Sequence, residues 1–186
     1  MVMAERTRKA VVPSGVERTM AEDELIVSKT DAKGIMTYVN DVFLRVSAYP
    51  ESEVLGQPHN MIRHPDMPRC VFKLLWDTIK SGQEIFAYVV NLAGDGAHYW
   101  VLAHVTPSFG PGGQIIGYHS NRRTPDRAGM DVIRPLYGQL VAEERRHAKS
   151  SEALAASTAM LTRKAEEHGG YERFVWSLES TRAGAR

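Results

Sequence analysis

Cysteine and long apolar runs are scarce in this chain of 186 residues, and each shortage excludes a class of protein. Cys70 is the single cysteine, which excludes an internal disulfide and suits a reducing cytosol. No apolar run approaches the roughly 18–20 residues that span a bilayer, and the basic start lacks the apolar segment of a secretory signal. We therefore expect a cytoplasmic protein with no membrane span.

An excess of charge of one sign is also lacking, because 23 lysines and arginines nearly balance 22 aspartates and glutamates. The net charge of +1 gives no long-range field toward nucleic acid, so no nucleic-acid partner is expected. The sequence has no nucleophile elbow, no phosphate-binding loop and no paired spacing typical of a metal site. It therefore indicates neither an enzyme nor a metalloprotein.

Short strand and helix patterns fill the first two thirds of the chain. Residues 1–20 carry scattered charges without an apolar period, which predicts a flexible arm. Asp31-Ala-Lys-Gly34 reads as a tight turn between two strands, and Asn40 follows as the cap of a short helix. A longer helical period and three further strand patterns complete a predicted domain over residues 21–124. The strands are expected at residues 24–30, 35–39, 85–93, 97–106 and 114–122, and the longer helix at 67–81.

The pattern changes from about Met130, where apolar residues recur at helical spacing amid charged ones. This predicts a long amphipathic helix or a helical hairpin that is interrupted near residues 147–151. A single helix cannot bury such a stripe alone. We therefore expect residues 127–178 to pack on the sheet, on a second subunit or on a partner, as a signalling or dimerisation segment, and residues 179–186 to form a tail.

The segment GQPHNMIRHPDMP, residues 56–68, is the densest group of polar side chains in the chain. His59, Arg63, His64 and Asp66 stand there between three prolines, which exclude a regular helix through the segment. The backbone must hold an irregular shape that directs these side chains, as in a pocket wall. Asn91 is a second signal, because an amide on an otherwise apolar strand needs a buried partner.

Two strands, short helices, a connecting helix and a three-stranded meander are the element order of a PAS domain. The chain resembles the PAS domain of aerotaxis receptors in TDAKGIMTYVNDVF, in the whole of GQPHNMIRHPDMP and in HYWV at His98–Val101. The resemblance covers roughly Asp23 to Gln139. It implies an α+β PAS fold, a five-stranded antiparallel sheet with short helices on one face, followed by C-terminal helices. It also implies FAD bound non-covalently and a redox signal to the chemotaxis machinery.

The same resemblance implies which residues contact the flavin. The positions that match the family's flavin contacts are Asn40, Arg63, His64, Asp66, Phe72, Trp76 and Asn91. Arg63 and His64 suit phosphate or adenosine groups, and Asp66 suits a ribose hydroxyl or the orientation of a neighbour. Ile85 departs from the family, which commonly has Trp there, and an isoleucine offers apolar contact without an indole hydrogen bond.

Three functions stay open at this point. The first is a flavin redox sensor that signals in trans, as a homodimer or through a partner protein, since no anchor or long coiled coil is visible. The second is a PAS interaction module with an empty or differently filled pocket, which the Ile85 exchange favours. The third is a haem gas sensor with one axial histidine, for which the candidates are His59, His64, His98, His104 and His119.

Overall fold

One antiparallel sheet of five strands, in the order β2-β1-β5-β4-β3, organises the molecule. The computed structural model describes residues 10–179. A short 3-10 turn, His59–Ile62, stands between the second and third helices. The elements are β1 (Ile26–Asp31), β2 (Met36–Val39), α1 (Asp41–Ser47), α2 (Glu51–Val54), α3 (Arg69–Lys80), β3 (Ile85–Leu92), β4 (His98–Phe109), β5 (Ile115–Arg123), α4 (Arg127–Arg145), α5 (Ser150–Glu166) and α6 (Tyr171–Glu179).

The first hairpin forms as its turn residues predict. Asp31 Oδ1 accepts hydrogen bonds from Lys33 N at 2.8 Å and from Ile35 N at 2.9 Å, while Gly34 takes a φ of 82°. Asn40 then caps α1, because its Oδ1 accepts from Phe43 N at 3.0 Å. These local contacts place β1 and β2 beside the short helices and so fix one wall of the domain.

Successive side chains of β3 point to opposite faces of the sheet. Val89 and Asn91 point toward α3, on what we call the inner face, whose side chains surround a cavity. Phe86 and Tyr88 point to the outer face, where the Phe86 ring lies 4.7 Å from that of Trp176 in α6. The two faces therefore serve different neighbours, a cavity inside and the C-terminal helices outside.

Helices α4 and α6 of the C-terminal segment pack on the outer face of the sheet, and α5 packs against α3, α4 and α6. In α4, Ile133, Leu136, Tyr137 and Leu140 are buried, and the Tyr137 hydroxyl donates to the backbone oxygen of Tyr88 at 2.7 Å. The chain leaves the helix after residue 145 and re-enters one at residue 150, close to the predicted interruption. The five-stranded antiparallel sheet and the C-terminal helices confirm the predicted α+β fold class.

Part of the predicted arm lies against the start of β4. Ser14 N donates to Gly96 O at 2.8 Å, His98 N to Val16 O at 2.9 Å, and Arg18 N to His98 O at 2.7 Å. The flexibility of the arm stays a prediction, and its residues 1–9 lie outside the described residues, as do residues 180–186 of the predicted tail.

Candidate functional site

A cavity of about 600 Å³, counted with its opening to solvent, lies between the inner face of the sheet and α3. Residues from four strands, α3 and the segment 56–68 surround it. They are Ser28, Thr30, His59, Asn60, Phe72, Leu75, Trp76, Ile79, Val89, Asn91, Ala103, Val105, Tyr118, Ser120 and Arg122.

One wall of the cavity is apolar because α3 presents a single face to it. Phe72, Leu75, Trp76 and Ile79 recur at intervals of three and four residues, the spacing of one helix face. The N-terminus of this helix is held from outside, since a Glu144 carboxylate oxygen in α4 accepts from Arg69 N at 2.8 Å and from Cys70 N at 3.2 Å. α3 thus fixes an apolar surface suited to a flat ring system.

Trp76 is held in place by its contacts. Its ring meets that of Tyr118 edge to face, with the centroids 5.6 Å apart. A Cβ on Gly34 would come within 2.7 Å of the Trp76 Cη2 atom, so the hairpin turn approaches the indole as closely as a glycine allows. The position of Trp76 in the wall depends on this close approach.

The opposite wall is polar, and it contains buried atoms with no hydrogen-bond partner. Asn91 Nδ2, Ser120 Oγ and Arg122 Nη1 are three such atoms in the described part of the chain. The three residues are 2%, 5% and 4% exposed, and all of them line the cavity. Native proteins rarely leave buried polar atoms unpaired, so these atoms indicate a place for ligand acceptors and donors.

His59 and Arg122 form the centre of this polar wall. Arg122 Nη2 donates to Ser28 Oγ at 3.0 Å and lies 2.5 Å from His59 Nε2. Burial, and then the charge of Arg122, holds the pKa of His59 well below its ordinary value of 6.5, so the ring is neutral. Its Nε2 accepts in this contact, because a guanidinium can only donate. Burial also lowers the pKa of Arg122 to about 10, which leaves the guanidinium charged at neutral pH.

Three of the eight residues expected at the flavin, Phe72, Trp76 and Asn91, line this cavity together. Arg63 lies directly behind them. Its backbone pairs with that of Asn91 and its guanidinium lies 4.7 Å from the centroid of the Phe72 ring. Burial lowers the pKa of Arg63, and its Nε atom has no partner in the described chain.

His64 and Asp66 lie in a separate groove beside α4 rather than in the cavity. His64 Nδ1 accepts from Asp66 N at 3.1 Å, and burial lowers the pKa of His64. The Asp66 carboxylate accepts from Arg145 of α4 at 2.9 Å. Both side chains therefore already have partners within the chain.

Asn40 and Ile85 also lie outside the cavity lining. Asn40 Oδ1 accepts from Val27 N and Phe43 N, both at 3.0 Å, and its Nδ2 donates to Leu25 O at 2.8 Å. These bonds use both polar atoms of the amide, which caps α1 and connects it to the backbone around the start of β1. Ile85 is buried at the start of β3 and lines an open groove with residues of α3 and α6.

The sequence reasoning missed most of the polar wall. Ser28, Ser120 and Arg122 were not among the expected site residues, and His59 was expected in a pocket wall and as a candidate haem ligand but not among the flavin contacts. One signal in the sequence pointed to them. Tyr118, Ser120 and Arg122 alternate along β5, and a charged residue at an inward position of a central strand is unusual.

The fold and the cavity define a small sensory domain, and comparison with known proteins gives the family. The family model for the PAS fold matches residues 26–120, so the chain belongs to the PAS family. The chain is 41% identical to the aerotaxis receptor of Escherichia coli K12 over 123 residues, which are 66% of this chain and 24% of that protein. This degree of identity supports the aerotaxis type of PAS domain.

A second relative is a nitrogen fixation regulatory protein of Klebsiella pneumoniae. It is 30% identical over 110 residues, which are 59% of this chain and 22% of that protein. The chain thus spans about a quarter of the length of these two relatives.

Solved structures agree on the fold. The dark structure of the blue-light photoreceptor Aureochrome1 LOV aligns at a TM-score of 0.52 with 20% identity, covering 65% of this chain and 84% of that one. A light-oxygen-voltage domain whose mechanism was studied with a flavin analogue aligns at 0.53 with 16% identity, covering 62% and 86%. At these identities the likeness shows the PAS fold.

Residues 10–179 contain neither a candidate membrane span nor a candidate metal cluster. No helix in this range is both long and apolar enough to cross a membrane. No group of three or more His, Cys, Asp or Glu side chains in the range could hold a metal ion.

Proposed function

We propose that this chain is a cytoplasmic, FAD-binding redox sensor of the aerotaxis type, and that the isoalloxazine ring occupies the inner cavity. The observation that carries this proposal is the convergence of unpaired Asn91 Nδ2, Ser120 Oγ and Arg122 Nη1 on one cavity. The pyrimidine edge of a flavin alternates carbonyl oxygens with ring nitrogens. Such an edge would supply acceptors to the Asn91 and Arg122 donors and either partner to the Ser120 hydroxyl.

The apolar wall supports the same ligand. The α3 face, with Phe72 and Trp76, would cover the flat part of the ring system and keep water from it. The E. coli relative that shares 41% of its aligned residues is an aerotaxis receptor, and one structural neighbour was studied with a flavin analogue. These likenesses favour a flavin over other planar ligands.

For FAD rather than FMN, the proposal assigns the pyrophosphate and adenosine side to Arg63, His64 and Asp66. Arg63 is the best placed of the three, because its Nε has no partner and its guanidinium lies against Phe72 of the cavity wall. A guanidinium binds phosphate oxygens through parallel hydrogen bonds. His64 and Asp66 would have to exchange their present partners in order to contact the nucleotide. Asn40 and Ile85, both expected at the flavin from the resemblance, would support the cavity from outside.

β3 offers a route from the cavity to the C-terminal helices. A bound flavin supplies reversible uptake of electrons, which changes charge and hydrogen bonding at its pyrimidine edge. Asn91 would hold that edge from the inner face of β3. On the outer face, the Tyr88 hydroxyl donates to Glu179 of α6 at 2.7 Å, and its backbone oxygen accepts from Tyr137 of α4. A changed bond at Asn91 would therefore alter how α4 and α6 sit on the sheet.

The signal would leave through residues 127–178, either within a homodimer or to a partner protein of a chemotaxis or other transducer system. The chain is proposed to act by this rearrangement and not as an enzyme.

The test is the absorption spectrum of the gently purified full chain, with the released ligand identified by chromatography. We expect a two-band flavin spectrum and FAD in about equimolar amount. Asn91→Ala should lower the FAD content. Asn121→Ala should not, because Asn121 points to the outer face of β5, opposite Ser120 and Arg122. A colourless protein that takes up no added FAD would contradict the proposal and favour the interaction module.

The haem alternative has one candidate ligand at the cavity. Of the five histidines considered, His59 lines it, and its Nε2 already accepts from Arg122. Axial ligation through that atom would require the bond to Arg122 to break. A Soret band in the same spectrum would show that haem is bound and would favour this alternative.

A further inference from the structure

Arg122 is a buried cation without an anionic partner. It points from β5 into the cavity, is 4% exposed, and forms no ion pair with any carboxylate of residues 10–179. Its neighbour Arg123 points to the outer face and pairs there with Glu179 at 3.1 Å. Adjacent arginines on one strand thus differ: one is neutralised within the chain and the other is not.

The groups that contact Arg122 cannot supply the missing charge. Ser28 is a neutral hydroxyl, and His59 is neutral and uses its Nε2 as an acceptor. The guanidinium itself remains protonated at neutral pH. A buried charge that is solvated only by neutral acceptors destabilises the folded state unless an anionic group reaches it.

We propose that Arg122 selects the ligand of the inner cavity: the chain retains a buried, uncompensated guanidinium there so that the ligand must present an electron-rich oxygen or ring nitrogen, one at which negative charge can develop. This inference rests on the proposed flavin function and names the residue that recognises the pyrimidine edge of the ligand. The Nη1 atom, which has no partner in the described chain, is the donor that this edge would occupy. Ser120 Oγ, also unpaired, lies two residues before it on the same face.

A residue retained for this purpose has a distinctive signature. It should cost stability in the ligand-free chain and contribute affinity when the ligand is bound, so its replacement should move the two measurements in opposite directions. Replacement of a purely structural arginine would lower the stability and the affinity together. Gln is the informative substitution, because its amide can still donate to Ser28 or His59 but carries no charge.

The experiment compares the full chain carrying Arg122→Gln, Arg122→Lys or Arg123→Gln with the wild type. FAD is titrated into ligand-free protein, and thermal unfolding is followed without FAD. We expect Arg122→Gln to weaken FAD binding at least about 10-fold, the loss typical of a charge-assisted hydrogen bond, while the ligand-free melting temperature stays equal or rises. Arg122→Lys keeps the charge and should recover part of the affinity.

Arg123→Gln is the matched control on the opposite face. It removes the pair with Glu179, so it should lower the melting temperature and leave the dissociation constant for FAD within about twofold, the scatter expected of a change away from the cavity. This pattern is the reverse of that expected for Arg122→Gln.

Unchanged FAD affinity in Arg122→Gln would overturn the inference, and so would a fall in both affinity and melting temperature that Arg122→Lys does not relieve. Thermal unfolding of the ligand-free wild type is also followed with added nitrate. If nitrate raises the melting temperature but FAD affinity is independent of Arg122, the site is one for small anions and the selecting role is wrong. A wild type that binds no FAD contradicts the proposed function instead. Thermal unfolding without FAD then tests Arg122 alone. A higher melting temperature of Arg122→Gln supports the uncompensated charge, and a lower one refutes it.

Discussion

Gly34 shows how a single residue sets the shape of the cavity. It occupies a left-handed backbone conformation with a φ of 82°, and the Trp76 ring lies where its Cβ would be. Gly56 has nearly the same conformation, with a φ of 78°, but has open space at the Cβ position. Comparison of substitutions at the two glycines therefore separates the cost of backbone strain from the cost of a steric clash.

Gly34→Ala should destabilise the chain more than Gly56→Ala does. Both variants incur the left-handed strain of a non-glycine residue, about 1 kcal/mol, and Gly34→Ala adds a clash that moves Trp76, for roughly 1–3 kcal/mol more. Urea unfolding gives the free energies, and the tryptophan emission maximum reports the moved indole. Equal effects of the two substitutions would mean that Trp76 adapts without cost.

Helix α6 contacts the sheet through a buried carboxylate as well as through apolar side chains. Glu179, at its end, accepts from the Tyr88 hydroxyl of β3 at 2.7 Å and from Arg123 of β5 at 3.1 Å. Its side chain is 5% exposed, and burial raises the pKa of Tyr88, so the phenol stays a donor. This contact connects the proposed signalling route along β3 to the helix.

Glu179→Ala should release α6 from the sheet, because it leaves the buried Tyr88 hydroxyl unpaired and Arg123 without its anion. We expect a loss of about 2–3 kcal/mol in the free energy of unfolding and faster amide hydrogen exchange across α6 than across α4. Glu172→Ala, at an exposed position of the same helix, is the control and should change neither quantity. Equal amide hydrogen exchange rates in α6 and α4 of Glu179→Ala would show that other contacts hold α6.

At the scale of the whole molecule, one hydrophobic core continues through both predicted segments. Buried residues of the sheet and of α3 form a single cluster with Ile133, Leu140, Leu161, Phe174 and Val175 of the C-terminal helices. The division into residues 21–124 and 127–178 stays a prediction. With a shared core, however, the two parts should unfold together.

The stability of the folded chain should fall as the pH drops below about 6.5. Burial lowers the pKa values of His59, His64 and His119 in the folded chain, whereas the unfolded chain takes up their protons at the ordinary value. Each such histidine contributes up to about 1.4 kcal/mol per pH unit, and these histidines have no effect above pH 7.5, where they are neutral in both the folded and the unfolded chain.

Urea unfolding at pH 7.5 and pH 5.5 checks this dependence, and His59→Asn should make it shallower, because the amide keeps an acceptor for Arg122 but does not titrate. Trp76, Trp100 and Trp176 lie in α3, β4 and α6, so coincident fluorescence and circular dichroism transitions also test whether the chain unfolds as one unit. A variant with the slope of the wild type would assign the acid sensitivity to the other histidines.

Local chemistry made the elements predictable. The Asp31 turn, the Asn40 cap and the interruption after α4 each depend on residues within a few positions of one another, and the structure confirms all three. The apolar face of α3 follows from helical spacing in the same way. Trp76 and Asn91, both expected at the flavin, line the cavity, and their contact with a flavin stays a prediction.

The sequence by itself determined the PAS fold, the apolar wall and one polar residue of the cavity, because these follow from periodicity and from motifs read along the chain. Only the tertiary structure decided that Ser28, His59 and Arg122 meet in the polar wall, while His64 and Asp66 turn outward to another groove. The reason is physical. Ser28 and Arg122 are 94 positions apart, and they become neighbours only through the pairing of β1 with β5. Whether a buried polar atom is satisfied depends on those distant neighbours, which no local pattern specifies.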